Sequence, residues 1–242
     1  MKITILTLFK EMYEDFLNTS IVSRIIDKNL LEVNVVDIRD YSLDKHRNVD
    51  DTPYGGGAGM LMRVDVVNRA LEANSTKDSY VLLTSPKAYP LKQKDFKRLL
   101  DKKELVIICG HYEGIDSRIE DYVDEKVSIG DYILTGGELA SMVLVDGISR
   151  LLDEAISKDS LKEESYNDNL LEYPQYTRPI EFDGKTVPFV LQNGNHEEIR
   201  KFNLKNSLRE TLLYRPDLLS KKELTEEEKA ILDELMIEIN DK

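Results

Sequence analysis

Residues 2–9, Lys2-Ile3-Thr4-Ile5-Leu6-Thr7-Leu8-Phe9, alternate as a largely apolar strand. The period then lengthens: Met12, Phe16, Leu17, Ile21, Ile25 and Ile26 recur at helical spacing, which predicts one helix stopping at Asn29. The same reading predicts strands over 31–38, 80–84 and 105–108, and helices over 64–73 and 93–100. A further strand is expected just before Ser128, and an apolar helix over 140–152. Strands that alternate with helices, and are apolar nearly throughout, predict an α/β domain with a mostly parallel sheet covered on both faces. Ligands in such sheets sit at the carboxyl ends of strands. Ser85-Pro86, Cys109-Gly110 and the glycine-bearing segment 128–138 all fall at such ends.

The breaks in this pattern matter as much. Residues 44–60 have no period and carry Gly55-Gly56-Gly57-Ala58-Gly59. A P-loop would need Gly-Lys-Ser/Thr where Met60-Leu61-Met62 follows, and a dinucleotide fingerprint would need a preceding strand. A substrate-gripping loop and an inert surface loop are the readings left. Residues 153–168 are acidic with little apolar spacing and read as a linker, with a second unit starting near Asn169. That unit carries a basic helix over 197–214, then an acidic tail from 223 with leucine and isoleucine at helical spacing.

Composition narrows the classes. At 242 residues the chain forms one large domain or two small ones. A charged fraction of 33% and no apolar run of bilayer length predict a soluble, cytoplasmic protein without a membrane partner. The net charge of −13 argues against unspecific nucleic-acid binding, yet Arg200, Lys201, Lys205 and Arg209 are grouped, and Arg178 stands between Tyr176 and Pro179. A phosphate-binding surface is favoured over a merely solvated helix face. Cys109 is the sole cysteine, so no internal disulfide or cysteine-based zinc site forms, and its apolar approach predicts a buried thiol. His46, His111 and His196 lack metal-ligand spacing.

Five ordered blocks then carry a resemblance. Tyr54-Gly55-Gly56-Gly57-Ala58-Gly59-Met60, Cys109-Gly110-His111-Tyr112-Glu113-Gly114-Ile115-Asp116, Ser128-Ile129-Gly130-Asp131-Tyr132-Ile133-Leu134-Thr135-Gly136-Gly137-Glu138, Tyr176-Thr177-Arg178-Pro179 and Asn195-His196-Glu197-Glu198-Ile199-Arg200 resemble the bacterial tRNA (guanine-N1)-methyltransferase family. The resemblance spans nearly the whole chain. It implies a SPOUT-class domain (residues 1–157) with a C-terminal trefoil knot, a flexible linker (158–168) and a small, mainly helical tRNA-binding domain (169–242). It also implies a homodimer that uses S-adenosylmethionine to methylate N1 of the guanosine directly 3′ of the anticodon, position 37. Carried over by position, the methyl-donor pocket takes in Ser85, Pro86, Gly110, Gly114, Ile129, Gly130, Asp131, Tyr132, Ile133, Leu134, Gly136 and Gly137, with Glu113 at the donor and guanine sites.

Guanine N1 carries a proton at neutral pH, so its methylation needs a base, and charge developing on O6 needs a cation. Arg150 matches the family arginine given the second role. The family's aspartate at the linker exit is replaced here: Glu164 stands at its position, in Glu163-Glu164-Ser165-Tyr166-Asn167-Asp168, and Asp168 is the understudy. Arg178, Arg200, Lys201 and Lys205 are the expected RNA contacts. Whether a divalent ion assists is left open by the sequence. Two other readings stand beside this one, a non-catalytic RNA-binding protein on the same scaffold and a SPOUT enzyme acting on ribosomal RNA or a wobble ribose.

Overall fold

The computed structural model describes residues 1–155, 165–166 and 168–240, and the chain divides into two compact units, Met1–Ile156 and Ser157–Lys242. The first unit is built on β1 (Lys2–Thr7). After it come a 3-10 turn at Lys10–Tyr13 and two helices, α1 (Glu14–Leu17) and α2 (Ser20–Asp27). The single helix expected from the apolar spacing is therefore broken. The cause is local: Asn18 Nδ2 and Thr19 Oγ1 donate to the carbonyls of Glu14 and Asp15, each at 2.7 Å, and Ser20 then takes a left-handed φ of +58°. Short polar side chains that bind nearby carbonyls compete with helix continuation. The expected stop at Asn29 does occur. With φ at +57°, it lets Leu30 N donate to Ile25 O and Asn29 N to Ile26 O, a Schellman pair that ends α2.

There follow β2 (Glu32–Asp37), the two-residue strands β3 (Asp50–Asp51) and β4 (Leu61–Met62), α3 (Val64–Asn74), β5 (Tyr80–Thr84), α4 (Gln93–Leu100), β6 (Glu104–Ile108), β7 (Glu125–Val127) and α5 (Glu138–Ser149). The five long strands pair in parallel in the order β2-β1-β6-β5-β7. Alternation along the strands sends successive side chains to opposite faces. Ile3, Ile5, Leu105 and Ile107 pack with Val22 and Ile25 of α2, Leu99 of α4, and Leu144, Val145 and Ile148 of α5. Leu6, Val106 and Ile108 pack on the other face with Val66, Val67, Ala70 and Leu71 of α3. At roughly 1.5–3 kcal/mol for each buried aliphatic side chain, these two clusters supply the main stabilisation of the sheet.

The second unit has a hairpin of β8 (Glu181–Phe182) and β9 (Lys185–Thr186), then α6 (His196–Tyr214), α7 (Pro216–Leu219) and α8 (Glu226–Asn240). Leu208 of α6 meets Leu232 and Leu235 of α8 in its core. Apolar periodicity does not reveal this hairpin, although Asp183-Gly184, with φ of +55° and +73°, is the turn sequence that fits a two-residue hairpin loop. Among the described residues no helix is long and apolar enough to cross a membrane.

Candidate methyl-donor site

The carboxyl ends of β6, β5 and β7, three neighbouring strands, bring together most of the residues singled out from sequence. Ser85 N donates to Val127 O at 2.8 Å, joining the end of β5 to that of β7. Gly137 N donates to Gly110 O at 2.8 Å, and His111 bridges Gly136 antiparallel, so the loop before α5 crosses the turn after β6. This crossing has no spare volume. A Cβ on Gly137 would lie 2.0 Å from Thr84 Oγ1 and 2.9 Å from Cys109 Cα, while Gly137 itself has an ordinary φ of −85°. Glycine is needed there for closeness and not for backbone freedom.

Around the crossing the requirements change. Gly130 has φ +154°, and a Cβ on it would meet the Tyr132 ring at 2.3 Å; the Tyr132 hydroxyl donates to Ile129 O at 3.3 Å. Asp131, Ile133 and Leu134 are exposed on the same loop. Gly114 has φ +120° and open space where a side chain would stand. Strand-end backbone, an aromatic ring and an open glycine notch fit the purine and sulfonium of S-adenosylmethionine, which needs hydrogen-bonding main chain and close approach more than charge.

Glu113 is exposed on the turn after β6 and is fixed from an unexpected side. Its N donates to Met60 O at 3.1 Å, Met62 N donates to Gly114 O at 2.9 Å, and Asp116 N to Met62 O at 3.0 Å. A Cβ on Gly59, whose φ is +87°, would lie 2.4 Å from Glu113 Cγ. The glycine-rich loop is thus clasped at its base by β3 and β4 and laid against Glu113, with Tyr54 fully exposed. Sequence spacing did not show this pairing, because it joins residues about fifty positions apart.

Beneath the crossing lies a buried polar group. Thr7 Oγ1 donates to Glu138 Oε1 at 2.8 Å, Tyr13 Oη and Ser141 Oγ are 2.7 Å apart, and Ser141 Oγ donates to Glu138 O at 2.7 Å. Cys109 is fully buried, and burial pushes its thiol up to about 12, which removes it as a nucleophile at neutral pH. Burial likewise drives the Tyr13 phenol well above its ordinary value. Among the described residues no group of three or more His, Cys, Asp or Glu is placed to hold a metal ion.

Not every expected residue joins the crossing. Arg150 caps the carboxyl end of α5, with its N donating to Asp146 O at 3.1 Å. A helix of 12 residues rises about 1.5 Å per residue, which puts Arg150 roughly 18 Å along the axis from the glycine crossing. Glu164 lies outside the described residues. Asp168 pairs with Lys222, whose ammonium also lies 3.3 Å from Glu228. Burial alone would push the Lys222 ammonium down, but these two carboxylates hold it above its usual range.

In the second unit Arg178 is exposed, whereas the α6 cations face acids. Arg200 bridges Glu197 at 3.0 Å and Glu227 at 2.7 Å, Lys201 lies 3.5 Å from Glu197, and Lys205 and Arg209 both meet Glu238. The Arg200 guanidinium holds Glu197 and Glu227 below their ordinary 4.5, and Lys205, then Arg209, does so for Glu238. Carboxylates with depressed folded values stabilise the fold above their unfolded value and lose that contribution as pH falls through the folded one. The helical signal of this unit should therefore melt at progressively lower temperature as pH is lowered below about 4.5. Arg200→Ala should flatten that slope, and circular-dichroism melts of parent and variant across the acid range check both.

Comparisons with known proteins identify the family. A family model described as tRNA (Guanine-1)-methyltransferase TrmD matches residues 1–221. A tRNA (guanine-N(1)-)-methyltransferase of Syntrophomonas wolfei is 51% identical over 237 residues, covering 98% of this chain and 97% of the relative. That of Dictyoglomus turgidum is 44% identical over 242 residues, covering 100% and 99%, and that of Fusobacterium nucleatum 49% over 236, covering 97% and 98%. With a family match through both units and relatives 51% and 49% identical over nearly the whole chain, the chain belongs to the tRNA (guanine-N1)-methyltransferase family.

Proposed function

We propose that this chain transfers a methyl group from S-adenosylmethionine to N1 of the guanosine directly 3′ of the anticodon, position 37, in tRNA. The observation that carries the reading is the Gly110–Gly137 crossing, a strand-end site of main chain and glycine in a chain of this family. Ser85, Pro86, Gly110, Gly114, the loop 129–134, Gly136 and Gly137 hold the donor, which supplies an electrophilic methyl when bound. Glu113, fixed by the glycine loop, orients donor and guanine. Glu164 takes the N1 proton, and Arg150 stabilises the charge that develops on O6. Asp168 is the weaker candidate for base, because Lys222 already occupies its carboxylate.

The enzyme works as a cytoplasmic homodimer, and its first unit holds a trefoil knot. The tight passage of the 136–137 segment against 109–111 supports the knot. Support for the dimer is the exposed apolar set of Leu139 and Val143 on α5 with Ile133, Leu134 and Met12. A dimer also explains Arg150: roughly 18 Å of helix separates it from its own crossing, so it serves the site of the second copy. Heating the protein with S-adenosylmethionine tests the donor site. At a hundredfold excess over Kd the ligand adds about 2.7 kcal/mol by mass action. A raised melting temperature is expected, and an unchanged one overturns the proposal.

The second unit grips tRNA through Arg178 and through Arg200, Lys201 and Lys205 of α6. The α6 cations must exchange exposed carboxylates for phosphates, a feasible exchange because exposed ion pairs are weak and screened by salt. Replacing these three α6 residues by alanine is expected to weaken tRNA binding. The slope of log affinity against log salt should fall by up to about 0.9 for each phosphate no longer neutralised. An unchanged affinity and slope, measured by filter binding over a salt series, would mean that the cations only join α6 to α8.

A further inference from the structure

We infer that His111 and Glu138 form a positioning pair that locks the glycine crossing, with His111 Nδ1–H donated to Glu138 Oε2 in the donor-bound enzyme. His111 Nδ1 is buried without a hydrogen-bond partner. Leaving a buried polar atom unpaired costs about 1–3 kcal/mol, so such an atom calls for a function. Glu138 is 3% exposed, and its Oε1 is taken by Thr7 Oγ1. Its other oxygen and the imidazole meet at one place: a Cβ on Gly136 would lie 2.2 Å from Glu138 Oε2 and 2.6 Å from His111 Nδ1. Gly136 is thus the notch through which the two side chains face each other. A small turn of the ring closes a charge-assisted hydrogen bond.

What the bond would hold is the turn that carries Glu113. The His111 ring stands edge-on to Phe9 at 4.9 Å and to Tyr112 at 5.0 Å. Tyr112 has φ +58°, a left-handed conformation that costs a residue with a side chain roughly 1–2 kcal/mol. Strain of this kind persists where its surroundings over-determine it. Anchoring the ring to the start of α5 joins this strained turn to the 128–137 loop through side chains as well as through the Gly137–Gly110 hydrogen bond. Both residues act through the turn and the loop, without touching the reacting atoms. The functional part of the inference rests on the crossing being the methyl-donor site.

The chain has three histidines, so imidazole 15N labelling gives three resolvable sets of signals, with His111 assigned by its loss in variants. In protein saturated with S-adenosylmethionine, His111 is expected to carry its proton on Nδ1. Glu138→Gln, which keeps the shape and can still accept from Thr7, should move those signals. Its amide nitrogen can meet Nδ1 only as a donor, so the charge-assisted bond gives way to a weaker neutral one of reversed direction, and kcat should fall about tenfold with KM for tRNA unchanged. His111→Phe should lose at least as much, His111→Asn, whose amide reaches the Nδ1 position, should restore most of it, and the His111→Phe/Glu138→Gln double variant should be no worse than His111→Phe alone. His111 signals that do not change in Glu138→Gln, or losses that multiply in the double variant, would overturn the pair. Absence of donor binding in the parent would instead overturn the donor-site reading, so the two failures are distinct.

Discussion

Glu164→Gln is expected to lower methyl transfer about 10²–10⁴-fold, the usual contribution of a positioned general base, while the affinity for S-adenosylmethionine stays at the parent value. The substitution keeps the side chain's length and polarity and removes only its ability to accept a proton. Guanine N1 must lose its proton as the new bond forms, and among the acids at the linker exit Asp168 is already paired with Lys222. Glu164→Asp, one methylene shorter, should keep part of the activity. Single-turnover methylation of unmodified tRNA, beside calorimetric titration of the donor, separates the two effects. Full activity in Glu164→Gln would transfer the role to Asp168, and Asp168→Asn in the same assay would then show the loss.

Among the glycine-to-alanine changes, Gly137→Ala should be the most damaging, because its Cβ meets main chain as well as a side chain. Its Cβ would stand 2.0 Å from Thr84 Oγ1, which is 8% exposed and donates to Ile108 O at 3.1 Å. Rotating Thr84 would not relieve it, because the main chain is also too close: Cys109 Cα at 2.9 Å and Gly110 N at 3.1 Å. The ends of β5 and β6 would have to part. Overpacking of this kind costs about 3 kcal/mol or more, and the donor site would open with it. Gly55→Ala is the control, since nothing lies within 4 Å of its Cβ and only its φ of +85° is penalised, by roughly 1 kcal/mol. Thermal melts and donor titration should show a large loss of both stability and affinity for Gly137→Ala and little for Gly55→Ala. Parent-like stability and donor affinity in Gly137→Ala would show that the loops do not cross so tightly.

The parts of this molecule that were legible in its sequence are those decided locally. Near-continuous apolar runs such as β6, in strands that alternate with helices, were enough to predict a sheet buried on both faces, and Asn29 marked its helix end because it tolerates a left-handed backbone. The break at Asn18 and Thr19 is hidden by an apolar period that runs straight through it, and two consecutive short polar side chains are its one signal. Long-range partners were the illegible part. The glycines at 110 and 137 announced close approach without saying to what, and nothing in the spacing joined Gly59 to Glu113. The basic block of α6 looked uncompensated because, apart from Glu197 in its own first turn, its carboxylates lie in α8, brought there by the packing of Leu208 on Leu232 and Leu235. His111 and Glu138 were conspicuous only as members of their motifs, and their approach across Gly136 is a product of the crossing.

The most direct test is to supply the purified protein with S-adenosylmethionine carrying a labelled methyl group and a pool of unmodified tRNA, and to map the labelled nucleoside. The account predicts a single product, 1-methylguanosine immediately 3′ of the anticodon, formed only in tRNAs with guanosine at that position. Label on another atom or another nucleoside, or none at all from protein that demonstrably binds the donor, would contradict it.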